Sequence, residues 1–469
     1  MRLAARDVRL TGSTLFLGVA LLAVSGRSLA QPYSVPPTWG GDFASRPRLT
    51  GDWGGTRDQL AARGVVLDVD LTVTPMDVLS GGKGTGGDTW GNVDYTLNVD
   101  TQKLGLWPGG FFNISGDTSF GTALDNSGAI VPINTANLIP APNEHTTALM
   151  GATFMQFLST KFGVFLGKID TLSSAKQEFY GDYQTQFLNA AFNFPMTTAQ
   201  VPISAFGGGL IVLPKENITA SIVALSSDGT PTDNNIGDAF SNGTMLVGSA
   251  AVTIKPFGLV GHQNMSFLWS DQNRFSLEQD PSNLALLLLQ SRFPRLGNPG
   301  PILADILNRY FPDLGPAVPP NREGSSWAVD YSFDQYLWQP AGDPTHGIGV
   351  FFSFGISDGN PNAIKNAFLI GVGGKGVPGR RDDSFGLAFA RSQFSSAFVP
   401  FLRQNLNIGL EREGAFEAYY NLAITGWLSA TADLQVIDPA LKKALNSSGA
   451  NLMNVDTAVI AGIRFRMRF

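Results

Sequence analysis

Three arginines at alternate positions, Arg464, Arg466 and Arg468, form the sharpest cluster of charge in this sequence. A spacing of two puts them on one face of a β-strand, because successive strand side chains point to opposite sides. Val455, Thr457, Val459, Ala461, Ile463, Phe465, Met467 and Phe469 fall on the other face. Guanidinium groups do not face hydrocarbon, so the arginine face must look onto water. Two roles are open to it. Guanidinium forks donate hydrogen bonds to a solute's hydroxyls or bias the passage of anions. Alternatively they neutralise carboxylates or anchor a neighbouring helix: Asp68 and Asp70 lie on the polar face of an early alternating segment, opposite Val65, Leu67, Val69 and Leu71. The place of Arg468 at the end of its strand favours this second role.

A second concentration of functional side chains lies between Asp170 and Pro202, where Glu178, Phe179, Tyr180, Asp182, Tyr183, Phe187 and Phe192 occur together. Folded into an open interior, this stretch would narrow it; its aromatics would equally serve to pack it against the inner wall. Polar residues at strand spacing add candidates for a wetted face: Asp94, Asn98 and Asp100; Asp330 and Asp334; Glu417, Tyr419 and Asn421; Asp433 and Gln435.

Nucleophilic and metal chemistry find little support. The chain has no cysteine, and its three histidines, His145, His262 and His346, are scattered and read as loop or turn residues. With no cysteine and no histidine beside a plausible serine partner, no enzyme, cofactor or metal site is expected. Gly81 to Gly87 superficially resembles a phosphate loop, but Lys83 is followed by Gly and no helix pattern ensues. A net charge of -6 argues against nucleic-acid binding.

The elements that must position these groups follow from alternation. Only 15% of residues are charged, with 54 Gly and 33 Phe, a balance suited to strands that face lipid on one side and water on the other. Arg2, Arg6 and Arg9, the apolar run Leu15–Val24 and Ser28-Leu29-Ala30 read as an export signal over residues 1–30, giving a mature start near Gln31. Residues 31–64 then form a periplasmic segment with a short helix from Thr56, where Thr56 and Gln59 have capping-box spacing and Gly64 suits the left-handed position past its end. Over 65–469 the separators alternate between short (Ser159-Thr160, Pro214 to Glu216, Pro378 to Asp383, Thr425-Gly426) and long (Asp117 to His145, Asp170 to Pro202, Ser226 to Gly243, Asp438 to Asn454), with Leu79 to Gly91 of moderate length. About sixteen alternating segments result, from Val65–Met76 to Ala458–Phe469. The fold expected is all-β: one transmembrane antiparallel β-barrel with short periplasmic turns, long extracellular loops and an aqueous channel. Trp53, Trp107, Trp327, Trp338 and Trp427 suit its interfacial girdles. Arg380, Arg381, Asp382 and Asp383 fall on a short turn, away from any selectivity site.

The segment Leu49-Thr50-Gly51-Asp52-Trp53-Gly54-Gly55-Thr56-Arg57, followed by Leu60 and Gly64, resembles the N-terminal signature of the carbohydrate-selective (OprB-like) porins of Gram-negative bacteria. Phe162 to Asp170, Phe187-Leu188-Asn189, Gly379 to Leu387, Glu417 to Tyr420 and Leu434 to Pro439 are similar to further family segments. The resemblance implies passive diffusion of small neutral sugars across the outer membrane; a general or anion-biased porin is the alternative. A sugar pore needs hydrogen-bond partners and flat aromatic faces at a constriction, which selects Glu178, Tyr180, Asp182, Tyr183, Glu417, Asp433, Arg464 and Arg466 as candidates. Outer-membrane lipid and the assembly machinery, reading the terminal Phe469, are the expected partners, with homotrimer and monomer both open. One departure from the family is an apolar excursion from Asp280 to Arg322, with Leu284–Leu289 and Ile302–Phe311.

Overall fold

The computed structural model describes residues 33, 35–172, 176–234, 236–279, 319–377, 379–400, 403–404, 407–445 and 451–469. The export signal and most of the 280–322 excursion therefore lie outside the described residues. The wall begins with β1 (Val65–Gly82), β2 (Gly86–Asp100), β3 (Gly110–Gly121), β4 (Thr147–Ser159), β5 (Phe162–Asp170) and β6 (Ser204–Lys215). It continues through β7 (Ile218–Ser226), β8 (Thr244–Ile254) and β9 (Gly261–Ser270), after which β10 (Arg274–Phe275) and β11 (Arg322–Glu323) pair only with each other. Next come β12 (Ser326–Trp338), β13 (Gly347–Ser357), β14 (Ile364–Val377), β15 (Arg380–Phe394), β16 (Arg412–Ala423) and β17 (Leu428–Asp438). A second small sheet of β18 (Lys443–Leu445) and β19 (Leu452–Asn454) precedes the final β20 (Asp456–Arg468), which pairs antiparallel with β1 and closes sixteen strands into a barrel.

Alternation sets the two faces as expected. On β20, Ala458, Ile460, Arg464 and Arg466 are buried towards the interior, while Ile463 and Phe465 are 47% and 41% exposed on the outside, the surface a bilayer covers. Closure leaves the barrel no unpaired edge, so each of its sixteen strands has partners on both sides. Short connections such as 160–161, 216–217 and 424–427 join strand ends at one rim; the long ones, 122–146, 171–203, 227–243, 271–325, 395–411 and 439–455, leave from and return to strand ends at the other. Leu79 to Gly91 differs from its reading as a separator. It is mostly strand: β1 and β2 stay paired as far as Val78 opposite Gly86. Glycines carry no side chain and so hide which face they occupy.

The helix α1 spans Thr56–Ala62, but the capping box does not form. Gly55 is the N-cap, in a left-handed conformation and without a side-chain cap, so Thr56 already lies in the first turn. Gly64 behaves as its position requires, with φ 87° and its N–H donating to the Ala61 carbonyl at 2.9 Å. From α1, Arg57 reaches the main-chain oxygens of Leu67 (2.6 Å) and Phe469 (3.0 Å) and the Asp68 carboxylate (3.0 Å). Its guanidinium also lies over the rings of Trp39 and Trp53. The helix is thus stapled beneath the β1–β20 seam. Trp107, Trp327 and Trp338 are exposed as a girdle demands, whereas Trp427 is buried, its indole N–H donating to the Phe43 carbonyl at 2.7 Å.

Candidate functional site

The 171–203 segment leaves the end of β5 and folds into the barrel, and the wall that receives it is built for its side chains. The interior faces of β13, β14 and β15 carry Gly349, Gly373 and Gly386, where an added Cβ would lie 2.5–2.7 Å from Phe179 or Phe187. Phe179 packs edge-on against Tyr336 with ring centres 4.8 Å apart, Tyr180 stacks on Phe351 at 4.9 Å, and Phe187 meets Tyr419 at 4.7 Å. Phe179, Phe187 and Phe192 are fully covered. Each contributes roughly 1.5–3 kcal/mol of apolar burial, set against the entropy of ordering the loop.

Polar anchors fix the loop's height and rotation. Both carboxylate oxygens of Glu417 accept loop backbone N–H groups, from Leu188 at 2.5 Å and Asn189 at 3.0 Å. Arg464 donates to the carbonyls of Tyr183 (2.6 Å) and Gln186 (2.9 Å) and to the Thr431 hydroxyl (2.8 Å). Asn189 donates to Gln435 at 3.2 Å; Gln435 in turn donates to Asp433 at 3.0 Å and to the Ile133 carbonyl at 2.9 Å. The 122–146 loop joins the same assembly, since the Thr135 N–H donates to the Leu188 carbonyl and Glu413 accepts from the N–H groups of Ile130 and Val131. Glu178 accepts from the Tyr336 hydroxyl at 2.6 Å and from Lys375 at 2.8 Å. Burial alone would raise the Glu178 carboxyl; the Lys375 charge with the bonds from Lys375 and Tyr336 outweighs it and holds the group below its ordinary value. Asp182 follows the same logic: burial raises it, but Lys176, Arg466 and the Gln184 N–H bring it below the usual carboxylate range. Burial and neighbouring carboxylates push the Tyr183 phenol, which donates to Asp94 at 3.2 Å, well above its ordinary value.

The loop fills one side of the interior and leaves a cavity of about 1340 Å³ on the other, against β4 to β9 and the start of the β12–β14 wall. Its lining reaches Lys161, Lys215 and Glu216 at the short-turn rim and Ile130, Gln200 and Asn362 at the long-loop rim. It therefore runs the height of the barrel.

Residues 85–469 match the family described as Carbohydrate-selective porin, OprB family. The chain belongs to the carbohydrate-selective porin OprB family. No curated protein matches the sequence. Among solved structures it is similar to OprB of Pseudomonas putida at high pH, with a TM-score of 0.69 and 20% identity over 92% of this chain and 100% of that one. The low-pH structure of the same protein gives a TM-score of 0.52 and 14% identity, covering 91% of this chain and 99% of that one. At these identities the structures speak for the fold, and the family match for the function: a sugar-selective porin of the Gram-negative outer membrane, not an enzyme.

In this OprB-family porin the eight candidate residues converge, but around the loop rather than along the open channel. Among the described lining residues Tyr180 is the one candidate that borders the cavity. Glu417 and Arg464 are at most 1% exposed beneath the loop, and Asp433 lies beside Glu417 under it. Arg466 pairs with Asp70 across the β1–β20 seam, as the neutralising role expects. Asp68 instead pairs with Arg48 and Arg57. His262 is no turn residue: it lies on the interior face of β9, its Nδ1 2.6 Å from Asp334. Of the Gly379–Asp383 cluster, read as a turn, Gly379 alone lies in the short connection; Arg380 to Asp383 open β15 at that rim, where Arg380 pairs with Asp383 and Arg381 with Asp343. The sequence reading missed the apolar interior faces of β5 to β7 that line the channel. The available signal was their alternation with equally apolar outer residues such as Leu166 and Ile222.

Proposed function

We propose that neutral sugars cross through the cavity between the inward loop and the β4–β9 wall, and that Arg464, Glu417 and Glu178 set its width by holding that loop. The observation that carries this reading is the loop docked on buried anchors with a channel beside it. Side chains of Gln177, Asn264, Ser332 and Ser353 border that channel and suit hydroxyl-bearing solutes. Arg464 and Arg466 are committed to loop carbonyls and to Asp70, which speaks for neutral solutes over the anion-biased alternative.

The short-turn rim, α1 and residues 31–64 face the periplasm in this reading, and the long loops face outwards. Residues 1–30 are removed on export, and the assembly machinery reads the final strand with Phe469. The closed, self-contained channel suits a monomer as well as a trimer of separate pores. The test is conductance of the purified mature protein in planar bilayers while glucose, other sugars and anions are titrated. Block by neutral sugars is expected; block by phosphate or organic acids alone overturns the proposal.

A further inference from the structure

The channel has two unlike flanks. On β4, β5, β7 and β9 its wall carries an apolar patch: Met155, Phe165, Ile169, Val223, Leu225 and Leu268 turn inwards and pack side by side, while Ser221, Ser249, Asn264 and Ser266 line the same wall nearer the short-turn rim. The register sets Met155 opposite Phe165, and Val223 and Leu268 either side of Val247. These residues are not lipid contacts, since Leu166, Leu210, Ile222 and Phe267 take the outer face of the same strands. Around β12 and β13 the wall turns polar, with Asp330, Ser332 and Ser353 on the lining and Gln177 bonded to Asn264 at 2.9 Å. A channel for fully hydroxylated solutes gains nothing from an apolar patch on its wall, because water must hydrate that surface without hydrogen bonds. A solute that is apolar on one part and hydroxylated on the other satisfies both flanks at once.

We propose that the channel favours neutral glycosides bearing an apolar aryl aglycone over free hexoses. The sugar ring exchanges hydrogen bonds with the β12–β13 flank while the aryl ring slides along the Phe165–Val223 flank. This inference rests on the cavity being the sugar route.

The test titrates glucose and phenyl β-glucoside against single-channel current of the whole mature protein in bilayers, with vesicle swelling for permeation. Phenyl β-glucoside is expected to half-block at about one-tenth the glucose concentration, the order expected when a ring's apolar surface leaves water. It is also expected to permeate no more slowly despite its bulk. Phe165→Ser and Val223→Thr are expected to bring the two half-blocking concentrations together. The second substitution is nearly isosteric and preserves the test if the first fails to fold, which heat-modifiable migration reports. Glucose block without any advantage for the glucoside, or an advantage that survives Val223→Thr, overturns the inference while leaving the route standing. Ion conductance with block by neither solute overturns the route and the inference together.

Discussion

Desolvating a guanidinium is costly, and Arg464 offsets that cost by donating to three oxygens, two of them loop carbonyls. Arg464→Met leaves those carbonyls without their donor, at about 1.5–3 kcal/mol for each bond to a charged group. The loop is then expected to leave its seat, raising single-channel conductance and weakening glucose block; an unchanged conductance would show that Arg464 does not hold the constriction. Glu178 and Asp182 predict the pH response. Both carboxyls are held below their ordinary values of 4.5 and 3.8, so their contribution to docking is complete above those values and is lost as pH falls through the lowered ones. The part of glucose block that these two carboxylates carry is expected to be constant above about pH 5 and to weaken only in more acid solution. In Glu178→Gln the block should be weaker at neutral pH and lose part of its acid dependence, measured as half-blocking concentration against pH.

At the scale of elements, the loop and its wall specify each other. Small residues on the interior faces of β13 to β15 form a bed for Phe179 and Phe187, and a Cβ on Gly386 would stand 2.6 Å from the Phe187 ring. Gly386→Val therefore overpacks the interface at about 1–3 kcal/mol. It is expected to push the loop towards the channel, lowering conductance while the barrel itself still forms, as read by bilayer current together with heat-modifiable migration. Conductance equal to the unsubstituted protein would mean that the loop does not sit on this bed. In the sequence these glycines look like weak strand positions. Their role depends on aromatics nearly two hundred residues away, and strand periodicity carries no information at that range.

On the scale of the whole barrel, closure is a problem of joining the first strand to the last. Arg466 pairs with Asp70 across that seam, and Arg57 gathers Leu67, Asp68 and Phe469 from both of its strands into one cluster. A lysine at position 57 keeps the charge but has a single ammonium where the planar fork sits over two indole rings. Arg57→Lys is expected to lower the temperature at which the folded electrophoretic band converts to the unfolded one, with glucose block retained below that temperature. An unshifted conversion would assign the cluster no part in closure.

Strand number, the identity of each face and the alternation of short and long rims were legible in the sequence, because a period of two is a local property that lipid on one side and water on the other impose strand by strand. Asp70 beside Arg466 was legible for the same reason, once the last strand had to meet the first. Only the tertiary structure decided what Glu417, Asp433 and Arg464 face. The loop that covers them docks through contacts between residues far apart in the chain, converting wall positions expected to touch solute into buried anchors. It likewise decided that inward apolar residues of β4, β5, β7 and β9 line a channel, since two apolar faces on one strand look alike until closure sets one inside.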